Sequence, residues 1–220
     1  MTNFAIAITS DSVCPWCYVG KKKLEQGIAL YQSKYPNSTD TFTTTWLPYQ
    51  LNPQSPSSGV DKRQYLSTIY GPERIPAVEV RLAQIGQSVG IPFKFGGKTG
   101  NTRDSHRLIH MAKEKAGTNV QNRVVDELNR SYFENEGDIT DPNVLTHAAI
   151  KAGLDEMDVQ QWLQTGAGGR EVDDEVAEAR RRGITGVPHF VLQDKYEISG
   201  AREPEAFLGA FERIREMESK

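Results

Sequence analysis

The sequence is poor in cysteine, in long apolar runs and in charge of one sign. Only two of its 220 residues are cysteine, so a scaffold of disulfides between distant segments is excluded. The 26 lysines and arginines are balanced by 29 acidic residues, which argues against a nucleic-acid partner, since such domains carry a basic excess. Apolar runs such as Phe190-Val191-Leu192 are far shorter than the ~20 residues that cross a bilayer. We therefore expect a globular chain with no membrane and no nucleic-acid partner.

The beginning of the sequence also lacks the signals of export. No basic residue precedes Lys21 and no long apolar core follows Met1, so neither a secretory signal nor an Arg-rich transit peptide is expected. The predicted compartment is the cytoplasm, whose reducing conditions disfavour structural disulfides. In that compartment a CxxC pair is redox-active or metal-binding more often than structural.

The apolar pattern separates segments that contain strands from a long segment of helices alone. Predicted strands cover residues 3–9, 41–47, 187–192 and 196–198, and the last two form an antiparallel hairpin. Residues 61–167 have only helical periodicity, with N-cap signals at Thr102, Asp141 and Asp155. A last helix begins at Pro204. The pattern predicts one discontinuous domain of residues 1–60 and 168–220, interrupted by a helical insertion of residues 61–167.

The two cysteines lie in Cys14-Pro15-Trp16-Cys17, between a predicted strand and a predicted helix. Backbone N–H groups and the positive end of the helix dipole favour an anion at such a helix start. A thiolate on Cys14 would be this anion, nucleophilic and also a good leaving group. We expect Cys17 to be the more enclosed thiol, Trp16 to be exposed to substrate, and Lys21 to Lys23 to form a solvated face.

A second segment of interest is Gly183-Ile184-Thr185-Gly186-Val187-Pro188-His189-Phe190. A proline behind two glycines, leading into a strand, suits a turn that approaches another loop. Composition alone leaves the isomer of the Val187-Pro188 bond open. His189 has two interpretations: it lies near the thiols and assists a proton transfer, or it packs on the sheet.

Together these residues resemble the DsbA-like branch of the thioredoxin superfamily. Within that branch the chain is most similar to the FrnE-type proteins, through Tyr49-Gln50-Leu51-Asn52-Pro53, Asn101-Thr102-Arg103, His106-Arg107-Leu108, Tyr132-Phe133, Asp138-Ile139 and Ile198-Ser199-Gly200-Ala201. The resemblance covers nearly the whole chain. It implies an α/β, thioredoxin-like fold with a large all-helical insertion.

The resemblance also implies an activity, that of a thiol–disulfide oxidoreductase with Cys14 as nucleophile and Cys17 as resolving thiol. Pro15, Trp16, Val187, Pro188 and His189 would support the site. A cis Val187-Pro188 bond would pack against the Cys14–Cys17 disulfide, and the Val187 backbone would pair with an extended substrate by strand addition. The implied partners are protein thiols and disulfides or a small thiol, with no cofactor.

The same branch includes kappa-class glutathione transferases and 2-hydroxychromene-2-carboxylate isomerases, in which serine usually replaces the first cysteine and the second is absent. Asn52, Val187 and Ser199 fall on positions similar to their glutathione-contacting ones, so glutathione is a candidate cosubstrate or reductant. Arg202 stands where the transferases tend to have an acidic residue. The alternative function is therefore a glutathione-dependent isomerase or transferase acting on a small aromatic or polyketide-like substrate. The presence of both thiols favours dithiol–disulfide exchange.

A soft-metal carrier that uses the two thiolates is a third reading. His106 and His110 have the spacing of a metal pair on a helix, but no nearby residue completes a site, so no metal centre is predicted. The direction of electron flow, the physiological substrate and the oligomeric state stay open, and a homodimer is among the alternatives.

Overall fold

The fold is built around one four-stranded sheet. The structure is a computed structural model that describes residues 1–218. Its strands are β1 (Asn3–Ser10), β2 (Thr41–Pro48), β3 (Val60–Asp61), β4 (Lys98–Thr99), β5 (His189–Leu192) and β6 (Tyr196–Ser199). Its helices are α1 (Pro15–Lys34), α2 (Lys62–Tyr70), α3 (Ile75–Val89), α4 (Arg103–Asn129), α5 (Pro142–Lys151), α6 (Glu156–Thr165), α7 (Gly169–Arg181) and α8 (Pro204–Glu218), with a π-helical turn at Arg130–Glu134. The order of elements agrees with the predicted one except for the short strands β3 and β4, which fall at and within the segment predicted to contain helices alone.

In the main sheet the strand order is β2-β1-β5-β6. β2 runs parallel to β1, whereas β5 is antiparallel to β1 and β6 is antiparallel to β5. Phe4, Ile6 and Ile8 alternate along β1 and are at most 2% exposed. They face α1 and α8, where the ring of Phe211 lies 5.1 Å from that of Phe4, centroid to centroid. One face of β1 therefore forms the core, and its carboxyl end leads directly into the cysteine motif.

The C-terminal hairpin differs from its prediction at one end. β5 begins at His189, two residues later than predicted, because proline has no N–H to donate to a strand ladder. The Val187-Pro188 peptide bond is cis. Gln193 and Asp194 both have φ of 52°, the left-handed conformation of the turns that fit the twist of a hairpin.

The helices between β2 and α7 begin mostly where their capping signals predict. Asp141 and Asp155 each accept a hydrogen bond from a backbone N–H in the first turn. Thr102 is the exception, since its side chain makes no capping hydrogen bond. Asn101 takes that role, because its Oδ1 accepts from the N–H of Arg103 at 2.9 Å. The short pair β3–β4 has no counterpart among the predicted elements.

Helix α4 covers the outer edge of β2. Gln121 is 1% exposed, and its side-chain amide both donates to the C=O and accepts from the N–H of Trp46, at 3.0 Å in each case. The Oδ1 of Asn122 accepts from the Trp46 indole N–H at 2.7 Å. An amide side chain thus provides the hydrogen bonds that a further strand would provide.

The prediction of a solvated face at Lys21 to Lys23 is wrong for Lys21. This side chain is buried, pairing with Glu25 of its own helix and, at 2.6 Å, with Asp126 of α4. The ion pair joins the helix of the cysteine motif to the inserted helices. Its partner lies far away in the sequence, so helical periodicity within α1 could not indicate it.

Two further expectations concern the chain as a whole. Among residues 1–218, no helix has the length and apolar character needed to cross a bilayer. The domain boundaries at 60/61 and 167/168 stay a prediction, which limited proteolysis would check. Residues 219–220, at the end of the predicted outer domain, lie outside the described residues.

Candidate active site

Cys14 occupies the N-cap position of α1, and Pro15 is the first helical residue. The Cys14 N–H donates to the Asp11 carbonyl at 3.0 Å, and the Cys14 carbonyl accepts from the Cys17 N–H, also at 3.0 Å. These two bonds form the turn between β1 and α1. The motif therefore lies at the helix start, where unpaired backbone N–H groups and the helix dipole stabilise a thiolate.

Both thiols are free and both are nearly covered, with 4% of Cys14 and 3% of Cys17 exposed. The exposed fractions differ by one percentage point in the expected direction, so exposure hardly separates the two thiols. Their electrostatic surroundings do distinguish Cys17. Burial, and next the hydrogen bond and charge of the Cys14 sulfur, raise the pKa of the Cys17 thiol. Burial therefore favours the protonated form of Cys17.

The loop that contains the cis bond lies directly against the motif. The Cys14 Sγ is 3.7 Å from the carbonyl oxygen of Val187, to which it donates. Gly20 on α1 permits this approach, because a Cβ there would lie 2.8 Å from the Pro188 Cγ. On its other side, the Pro188 carbonyl accepts from the Gly200 N–H at 2.8 Å. Pro188 is therefore held between α1 and the segment that follows β6.

Trp16 has a neighbour that the sequence does not indicate. The guanidinium of Arg81, on α3, lies 5.4 Å from the centre of the indole ring, a cation–π contact. Trp16 is half-buried rather than freely exposed, so the expectation for this side chain is corrected. Arg81 places a positive charge beside the motif from within the inserted helices.

Beneath the motif, Asp11 and His106 form a buried pair that the sequence reasoning missed. Asp11 is 2% exposed, and its carboxylate accepts from the Leu51 N–H at 2.8 Å. Its other oxygen lies 3.4 Å from the His106 Nε2, which is also 2.9 Å from the Tyr49 carbonyl. The Asp11 backbone in turn hydrogen-bonds the Cys17 sulfur. The only sequence signals were the position of Asp11 before the motif and that of His106 in a segment of the family resemblance.

The other predicted site residues are engaged within the protein. The Asn52 Nδ2 donates to the Tyr65 hydroxyl at 2.9 Å. The Ser199 Oγ lies 3.0 Å from the Nδ1 of His189, a residue that is 7% exposed. Among the described residues 1–218, the side-chain hydrogen bond of His189 is made to Ser199 of β6 and to neither thiol. The structure thus brings Val187 and Pro188 to Cys14, and it ties Asn52 and Ser199 to other side chains.

A metal centre has no candidate ligands in the described part of the chain. Across residues 1–218, no group of three or more His, Cys, Asp or Glu side chains is arranged to hold a metal ion. His106 and His110, spaced as a metal pair, differ in their surroundings. His106 faces Asp11, and the His110 ring stacks on Trp162 at 6.5 Å.

Known proteins resemble this chain over most of its length. A curated relative, the uncharacterized protein YwbO of Bacillus subtilis (strain 168), is 26% identical over 210 residues, 92% of each chain. The crystal structure of a probable DsbA oxidoreductase from Streptomyces coelicolor is similar with a TM-score of 0.80 and 31% identity, over 94% of this chain and 88% of that one. The cytosolic disulfide reductase DsbM from Pseudomonas aeruginosa, determined with GSH, shares the fold at a TM-score of 0.63 and 15% identity, over 96% and 99% of the two chains.

These similarities confirm the predicted thioredoxin-like α/β fold with its helical insertion. The family described as DSBA-like thioredoxin domain matches residues 5–212, which is nearly all of the sheet, the motif and the inserted helices. The chain therefore belongs to the DSBA-like thioredoxin domain family.

Proposed function

We propose that the protein is a thiol–disulfide oxidoreductase in which Cys14 attacks and Cys17 resolves. The observation that carries the proposal is the position of the Cys14 sulfur, at the N-cap of α1 and 3.7 Å from the Val187 carbonyl beside the cis bond. Helix starts favour the thiolate, which is the nucleophile in disulfide exchange.

The exchange runs in two steps that balance without a cofactor. The Cys14 thiolate attacks one sulfur of a substrate disulfide, the S–S bond breaks, and one substrate thiol leaves with a proton taken from solvent. Cys17 then loses its proton, its sulfur attacks the Cys14 sulfur to form the Cys14–Cys17 disulfide, and the second substrate thiol leaves with a proton. The protein dithiol is oxidised and the substrate disulfide is reduced. The same steps reversed oxidise a substrate dithiol, and the relative potentials set the direction.

The unequal surroundings of the two thiols fit this order of events. Because burial raises the pKa of Cys17, this thiol stays protonated while Cys14 attacks. The hydrogen bond and charge of the Cys14 sulfur raise the pKa of Cys17 further. The backbone of Asp11, just after β1, acts in the other direction and lowers the pKa of Cys17, but burial outweighs it.

Substrate would approach along the Val187-Pro188 loop. Val187 is half-buried, and its backbone is the group expected to pair with an extended peptide. Protein thiols and disulfides or a small thiol are the proposed partners, in the cytoplasm. The similarity to a cytosolic reductase determined with GSH supports this choice of partner and compartment.

A glutathione-dependent isomerase or transferase is the less well supported alternative. Such an enzyme has no use for a second thiol in the motif, and Cys17 is present. The side chains of Asn52 and Ser199, expected to contact glutathione, already bond to Tyr65 and His189.

The test is insulin reduction by the wild type, Cys14→Ser and Cys17→Ser, with dithiothreitol as electron donor. We expect Cys14→Ser to fall to the uncatalysed rate and Cys17→Ser to accumulate a mixed disulfide detectable by mass spectrometry. Equal activity of wild type and Cys14→Ser would end the proposal. Undiminished turnover by Cys17→Ser with glutathione would favour the alternative.

A further inference from the structure

The reverse face of the main sheet carries a groove that the exchange reaction does not use. Since Phe4, Ile6 and Ile8 face α1 and α8, the alternate residues Ala5 and Ala7 face the opposite side. There, a groove of about 720 Å³ lies between α7 and the β5–β6 hairpin. This volume is within the range of about 300–1,000 Å³ that is typical of ligand sites.

The groove is continuous with the active site. Val187 and Pro188 are part of its wall, and the Val187 carbonyl is the group 3.7 Å from the Cys14 sulfur. A chain whose cysteine is bonded to Cys14 therefore passes this loop before it enters the groove. This continuity favours a segment of the disulfide substrate itself as the occupant of the groove.

The lining suits an extended main chain. Ala7, Gly183, Gly186 and Gly200 line the groove and leave room for a backbone to approach closely. Ala7 is paired with Val191 across the sheet, so a small and a β-branched side chain lie side by side in the lining.

The charge of the groove lining favours bound segments of one charge over the other. Within residues 1–218, four carboxylates line the groove, from Glu175, Glu178, Asp194 and Glu197, against the guanidinium of Arg182. Arg182 is paired with Glu178 at 2.8 Å. On the remaining elements, His189 lies 3.8 Å from Glu197, and His110, Lys113 and His106 of α4 interact with Glu175 at longer range. The lining therefore carries an excess of negative charge.

We propose that this groove binds the segment flanking the reactive cysteine of a protein substrate, in extended form and rich in lysine or arginine. The inference rests on the proposed oxidoreductase function and adds a class of substrate to it. Opposite charges that meet in a partly enclosed groove raise both the encounter rate and the selectivity. Acidic flanks would be disfavoured by the same carboxylates.

The experiment uses synthetic peptides with one cysteine, linked by a disulfide to mercaptoethanol, with lysine, glutamine or glutamate on either side of the cysteine. The rate at which reduced protein consumes each peptide disulfide is measured by chromatography at low and high salt. Bis(2-hydroxyethyl) disulfide, which is too small to reach the groove, reports the exchange reaction alone. We expect the lysine peptide to react at least about threefold faster than the glutamate peptide at low salt, a preference that salt reduces.

Two variants test the groove, each with a matched control. Glu175→Gln/Glu197→Gln removes two of its charges, and Glu171→Gln/Asp174→Asn removes two outside it. Ala7→Tyr fills its floor, and Ala5→Tyr places the same ring on the same strand outside the lining. We expect the first charge variant to abolish the lysine preference and Ala7→Tyr to slow every peptide, with neither control doing so and the small disulfide unaffected.

Each of the other possible outcomes contradicts the proposal, and they differ in what they say of the exchange function. No salt-dependent preference in the wild type, or equal effects of Ala7→Tyr and Ala5→Tyr, would overturn the proposal while the exchange function stands. Failure of the wild type with the small disulfide would remove the exchange function and this inference with it. Should sedimentation show a dimer that Ala7→Tyr dissociates, the occupant of the groove is a second copy of the chain and the proposal is wrong.

Discussion

Replacing Gly20 by alanine tests the contact between α1 and the cis-proline loop. The added Cβ would lie 2.8 Å from the Pro188 Cγ, about 0.6 Å short of the 3.4 Å at which contact becomes ordinary. Overpacking of this kind costs about 1–3 kcal/mol. Alanine returns about 1 kcal/mol through its helix propensity, so the net loss of stability is at most about 2 kcal/mol.

The effect of Gly20→Ala on exchange is expected to exceed its effect on stability. The overlap is relieved by moving Pro188, and with it the Val187 backbone that lies beside the Cys14 sulfur. A misplacement of about 1 Å costs an enzyme about 10²-fold, so we expect a loss of about tenfold for this smaller shift. The assay is the second-order rate constant of the reduced variant with a peptide disulfide, alongside its urea unfolding curve.

Two other glycines provide matched controls. At Gly27, a Cβ would lie 2.7 Å from the Phe207 Cβ and 2.9 Å from the Pro204 carbonyl, so Gly27→Ala should destabilise the α1–α8 contact and spare exchange. At Gly209, on α8, a Cβ meets nothing within 4 Å, so Gly209→Ala should stabilise by about 1 kcal/mol. A wild-type rate for folded Gly20→Ala, or an equal loss in Gly27→Ala, would refute the reasoning.

Three further predictions address buried polar groups. Burial lowers the pKa of Lys62 to about 8 against about 10.4 in the unfolded chain, so the unfolded state binds more protons between these values and stability rises with pH there. Lys62→Met should remove this rise, worth up to about 3 kcal/mol in urea unfolding across that range, and an unchanged pH profile would contradict it. Gln121→Leu leaves the Trp46 N–H and C=O unpaired and should cost about 3 kcal/mol of unfolding free energy, whereas a neutral effect would show that the edge of β2 needs no cover. Because burial raises the pKa of Cys17, resolution of a mixed disulfide at Cys14 should quicken about tenfold per pH unit in rapid-quench measurements, and a plateau below about pH 8 would exclude this cause.

Local pattern predicts the elements whose stability is decided locally. The alternation of Phe4, Ile6 and Ile8 marks β1 because one face of a strand is buried, and the caps at Asp141 and Asp155 act within one helical turn. The prediction was wrong where a distant contact decides. Lys21 is buried because Asp126 approaches from α4, and no residue close to Lys21 in the sequence indicates that approach.

The candidate active site shows the same division between features that a local pattern predicts and features that depend on distant contacts. The cysteine motif and the Val187-Pro188 turn are short segments that can be recognised singly, and the structure brings them together. Arg81 contacts Trp16 of the motif and His106 contacts Asp11 just before it, from separate inserted helices, so only the tertiary fold reveals them. Trp16 was expected to be free for the same reason, because its neighbour Arg81 is remote along the chain.

The side-chain amide of Gln121 has a consequence for how the sheet meets unfolded polypeptide. Incompletely folded polypeptides readily add a strand to any sheet whose edge has unpaired backbone groups. At the β2 edge, the Gln121 side chain already pairs with the backbone N–H and C=O of Trp46, so a further strand cannot pair with the sheet there. The other edge strand of the sheet is β6. It is followed by Gly200, whose N–H donates a hydrogen bond to the Pro188 carbonyl. A strand added to the sheet would therefore lie at the β6 edge, the edge whose following residue hydrogen-bonds the loop beside the Cys14 sulfur.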